Sequence, residues 1–174
     1  MKEVADQVAR WLGILSSGVL DGEDAERSLV RAHQVLGEER LGELREWFRD
    51  SPAQVVADAK RAVVEACVAV VHADEVVTGS ERELVGRIVQ LAALDPASAR
   101  SLEASIDAPL PLDQVAPRIP HPALRELVLV IAWQIAQVDE DIDGTERGTY
   151  GELAKRLAIA PARAKELRGL FDAA

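Results

Sequence analysis

Apolar positions recur at helical spacing along almost the whole chain. Val4, Val8, Trp11, Leu12 and Leu15 form one stripe over residues 2–17, and Gly18 stops it. A second stripe, Ala25, Leu29, Ala32, Val35 and Leu36, opens at the polar Asp21-Gly22-Glu23-Asp24 and closes at Gly37. Leu41, Leu44, Trp47 and Phe48 mark a third helix over about 38–49. Ser51-Pro52-Ala53-Gln54 then reads as a sharp helix start, with serine as cap, proline in the first turn and Gln54 completing a capping box. The helix it opens is apolar on most sides and is expected to run to about Ala73. Its like is the run from Leu124 to Val138, introduced by Pro122. Shorter helices are expected at 80–92, at 96–106 behind the Asp95-Pro96 start, at 145–158 and at 161–171. Between Asp107 and Pro122 lie Pro109, Pro111, Pro117 and Pro120, which predict an ordered connector with room for one short helical turn. No stretch alternates with the period of a strand, so the fold class expected is all-α.

The second half of this pattern repeats the first. Residues 74–106 set against 139–171 without a gap give 11 identities in 33 positions. Composition alone would give about 2–3. The matches include Asp74/Asp139, Glu75/Glu140, Gly79/Gly144, Glu81/Glu146, Gly86/Gly151, Ala93/Ala158, Pro96/Pro161 and Leu102/Leu167. Each unit, about 59–106 and 124–171, reads as long helix, acidic turn, helix, short helix. The expectation is a pseudo-twofold helical bundle with the two long apolar helices packed at its centre. Gly86 and Gly151 fall inside helices, where glycine costs about 1 kcal/mol against alanine, and their matching places suggest close helix approach. Residues 1–50 are expected to form an N-terminal helical extension that docks on or extends from a helical domain at 51–174.

Composition narrows the classes of function. Of the 174 residues 48% are apolar but only 3% aromatic, so Ala, Val and Leu must fill the core, which suits closely packed helices. The net charge of −10 argues against a nucleic-acid backbone as ligand and favours cations or a partner with a basic surface. Residues 1–10 are charged and lack the apolar segment of a secretory leader, and both long apolar runs are shorter than the roughly 20 residues needed to span a bilayer. A cytoplasmic protein without a membrane segment of its own is expected. The single cysteine, Cys67, sits in an apolar helical run and reads as a buried, inert thiol.

The acidic turns carry the candidate chemistry. Asp139-Glu140-Asp141-Ile142-Asp143-Gly144-Thr145-Glu146 places five carboxylates in eight residues. Asp139-x-Asp141-x-Asp143-Gly144 matches the first half of an EF-hand calcium loop, but the twelfth position is Tyr150 where a bidentate glutamate belongs, and the eighth is Glu146. A different carboxylate site for Ca²⁺ or Mg²⁺ would use Asp139, Asp141, Asp143 and Glu146. The copy at Asp74, Glu75 and Glu81 has Val76 in place of Asp141 and should bind more weakly. Without any ligand, Asp143-x-x-Glu146 and Thr78-x-x-Glu81 are explained as capping boxes. Asp139, Glu140 and Asp141 have no such role, which makes them the expected contacts for a basic partner. No phosphate-binding glycine loop, nucleophile–base pair or Glu-x-x-His pair is present, so no catalytic residue is assigned.

An apolar helix ending in an acidic turn, followed by Glu opening a second helix, and occurring twice, resembles the tellurite-resistance TerB-like family. That family includes the N-terminal domain of the membrane-anchored co-chaperone DjlA. The residues that carry the resemblance are His72-Ala73-Asp74-Glu75 through Glu81, and Gln137-Val138-Asp139-Glu140 through Glu146, within about 55–174. Glu75 and Glu140 stand where the family usually has glycine, which alters the turn and adds two carboxylates. The resemblance implies an all-helical fold, no catalytic activity, stress- or tellurite-resistance assemblies that can be membrane-linked, and metal binding. The function expected is therefore a non-enzymatic interaction module in a stress- or defence-associated bacterial assembly. A divalent-cation binder acting through the turn at 139–146 is the alternative.

Overall fold

The computed structural model describes residues 22–71, 79, 82–83, 86, 89, 94–108, 110–136 and 144–172. They form α1 (Gly22–Leu36), α2 (Glu38–Asp50), α3 (Ala53–Val71), α4 (Pro96–Ala104), α5 (Leu112–Val115), a 3₁₀ turn (Ala116–Arg118), α6 (Pro122–Ala136), α7 (Gly144–Arg156) and α8 (Pro161–Asp172). Gly79, Arg82, Glu83, Gly86 and Val89 are helical as well, where the sequence places the second helix of the first unit. Among the described residues there is no strand, and the fold is all-α. The expected first helix at 2–17 lies outside the described residues.

Local chemistry explains most of the boundaries. Gly37 adopts φ 79°, a left-handed value that glycine reaches without a Cβ penalty, and it separates α1 from α2. Asp95 caps α4, its Oδ1 accepting from the Ala97 and Ser98 N–H groups at 3.0 Å each, with Pro96 in the first turn. These hydrogen bonds, that to Ser98 first, hold the Asp95 carboxyl below its usual range. The start of α3 departs from expectation. The Ser51 N–H donates to Trp47 O and closes α2, so it cannot receive the Gln54 side chain, which donates instead to Asp58 Oδ1 at 3.0 Å. The capping box is therefore not formed, and the Pro52 carbonyl takes the first helical hydrogen bond from Val56.

The two long helices, α3 and α6, pack along each other at the centre. Ala59, Ala62, Val63, Val64, Ala66 and Val68 of α3 are buried, as is almost every apolar residue of α6 from Ala123 to Trp133. Each unit's last helix covers the core through a matched leucine, Leu102 in α4 and Leu167 in α8. The proline-rich connector is part of the same core. Leu112, Val115, Ala116 and Ile119 are all buried, so α5 and the 3₁₀ turn pack onto α3 rather than crossing solvent.

The N-terminal helices dock on the bundle. Leu41 and Leu44 of α2 are fully buried, with Phe48 beside them, and Ala32, Val35 and Leu36 of α1 close the layer. Burying a leucine contributes roughly 1.5–3 kcal/mol, so the two leucines alone hold α2 firmly. A crossed arrangement results. The helix leading into α3, which is α2, packs on α6, and the segment leading into α6, 112–118, packs on α3. The pseudo-symmetry thus reaches beyond the units visible in the sequence.

One expectation drawn from the repeat is corrected. A Cβ added at Gly86 or at Gly151 would meet no atom within 4 Å, so neither glycine marks a close helix approach among the described residues. Gly151 is exposed on α7.

Candidate functional site

The acidic turns follow the two central helices in the chain, one after α3 and the other between α6 and α7. Asp74, Glu75, Glu81, Asp139, Glu140, Asp141 and Asp143, and with them His72, lie outside the described residues. Of Glu146 the backbone is placed, in the first turn of α7, which begins at Gly144.

The polar chemistry that is placed sits on the central helices. Glu65 of α3 and Glu126 of α6 are the two buried carboxylates among the described residues, 6% and 3% exposed. Glu65 Oε1 accepts from Arg61 Nε at 2.8 Å, one turn earlier on the same helix, and Glu65 Oε2 accepts from Arg118 Nη1 of the 3₁₀ turn. Glu126 Oε1 pairs with Arg40 Nη1 of α2 at 2.7 Å, and Glu126 Oε2 accepts from Arg163 Nη2 of α8 at 2.9 Å. Arg163 Nη2 also donates to the Val35 carbonyl at the end of α1, at 2.9 Å. The adjacent Glu126 carboxylate, hydrogen-bonded to Arg163, raises that guanidinium above its ordinary value.

Burying a carboxylate is costly unless it is paired, and here both oxygens of each one are engaged by guanidinium groups. Each carboxylate is committed to these structural pairs. They act as ties, each holding a long helix to the segment that leads into the other. Position 61 falls on position 126 when the units are superimposed in sequence, and both join long helix to last helix: Arg61 Nη2 donates to Ser101 Oγ at 3.3 Å, while Glu126 takes Arg163. The sequence held a partial signal in the Arg61/Glu65 spacing of four. The Arg118, Arg40 and Arg163 partners are set by tertiary packing and were not foreseen.

Other reactive groups are equally committed. Burial pushes the Cys67 thiol up to about 12, so it stays protonated and inert, as the apolar run around it suggests. His121 caps α6, its Nδ1 accepting from the Ala123 N–H at 3.2 Å, and burial lowers its pKa. Tyr150 donates its hydroxyl to the Ala164 carbonyl at 2.9 Å and meets the Trp133 ring edge-on at 5.1 Å, which ties α7 to α8 and α6. The indole N–H of buried Trp133 has no hydrogen-bond partner among the described residues, while Arg168 lies 5.8 Å from its ring centre. Among the described residues no three His, Cys, Asp or Glu side chains gather as metal ligands would. Among them, too, no helix is long and apolar enough to cross a membrane.

Comparison with known proteins gives one match. A family described as "Protein of unknown function (DUF533)" matches residues 14–170. No curated protein and no solved structure matches the chain.

Proposed function

The chain belongs to the DUF533 family of proteins of unknown function, and from that premise we propose that it is a non-enzymatic, TerB-like interaction module. Its acidic turns are the contact surface for a protein partner with a basic face, in a stress- or defence-associated bacterial assembly in the cytoplasm. The observation that carries this reading is the doubled acidic segment itself. In a chain of net charge −10, carboxylates at matching places follow both central helices in sequence, and the capping-box pattern accounts for Asp143 and Glu146 but not for Asp139, Glu140 and Asp141. The two buried carboxylates and the thiol support a non-catalytic reading, because Glu65 and Glu126 are paired with arginines and Cys67 is protonated. The family match spans α2 as well as both units, which suits a module that works as a whole.

The test is capture of a partner from lysate by the wild-type chain and by a variant with Asp139→Asn, Glu140→Gln and Asp141→Asn. A specific protein should be retained by the wild type, released by salt and lost with the variant. Retention that ignores both salt and the three substitutions would exclude the acidic surface.

The second reading is a divalent-cation binder using Asp139, Asp141, Asp143 and Glu146, favoured by the alternate spacing of three aspartates before Gly144. Calorimetric titration of Ca²⁺ or Mg²⁺ should then give a binding isotherm that Asp141→Asn/Asp143→Asn abolishes. Absence of heat at millimolar metal would dismiss it.

A further inference from the structure

We draw no further inference here: the strongest candidate, the partly exposed face between α3 and α4 around Arg61, Ala99 and Ser101, which among the described residues has no counterpart of the cover that α1 gives the matching face of α6 and α8, carries nothing because the structure does not show what covers it.

Discussion

Ala158 sits at φ 56°, a left-handed conformation that a residue with a Cβ adopts at a cost of roughly 1–2 kcal/mol. Its surroundings impose it. The Ile159 N–H donates to Ala154 O and the Ala158 N–H to Lys155 O, the paired bonds of a Schellman ending, and Ile159 packs against the core. Ala158→Gly should therefore raise stability by about 1 kcal/mol, read as a higher denaturant midpoint at unchanged slope. His121 makes a second prediction. Its Nδ1 accepts from the Ala123 N–H, which requires the neutral ring, and burial favours the same form. A histidine whose folded pKa lies below its ordinary 6.5 leaves the unfolded chain binding more protons, so stability is full above that value and falls as pH drops below it. Unfolding measured between pH 7 and 5 should show a shallower loss in His121→Asn than in the wild type, since asparagine also caps but does not titrate. His33 and His72 are the same in both proteins.

At the scale of the elements, what could be read in advance was what depends on neighbours in sequence. Asp95-Pro96, Pro122 and Gly37 mark helix ends by cap chemistry that needs no tertiary partner, and all three do so in the structure. Gly86 and Gly151 misled because a matched glycine signals close packing only where something packs, and among the described residues nothing lies within 4 Å of a Cβ built at either. Gly151→Ala should accordingly stabilise α7 by about 1 kcal/mol in thermal or denaturant unfolding. The crossed ties were not legible, because Arg40 and Glu126 are far apart in sequence and meet only once α2 lies on α6. Glu126→Ala removes the carboxylate shared by Arg40 and Arg163, but Arg163 keeps Glu166 and the Val35 carbonyl and both guanidiniums reach solvent, so the loss should be about 1.5–3 kcal/mol, that of hydrogen bonds to a charged group. The same change at exposed Glu39 of α2 should cost no more than about 0.5 kcal/mol. In a cycle pairing Glu126→Ala with Arg40→Ala the two losses should add to more than the double variant shows, because the sites touch.

For the whole molecule, the architecture is two matched halves that cross-brace each other through their leading segments, with α1 and α2 inside the common core. The pairing of the long helices was readable from the 65-residue repeat. The docking of the N-terminal helices was readable only as one of two outcomes, because an amphipathic stripe states that a face will be covered and not by what. The candidate site named from spacing lies outside the described residues. Acidic spacing names Asp139, Glu140 and Asp141, and cap chemistry sets Asp143 and Glu146 apart from them. The buried Glu65 and Glu126 carry no such signal, since the arginines that pair with them across the fold are set by tertiary packing. The proposed function places the partner on the acidic segments that follow α3 and α6 in the chain. The most direct test is the affinity of the captured partner for the wild type and for the Asp139→Asn/Glu140→Gln/Asp141→Asn chain, measured across a series of salt concentrations. The proposal predicts a wild-type affinity that falls steeply with salt and a variant that binds more weakly with a shallower dependence. Equal affinities with equal salt dependence would contradict it.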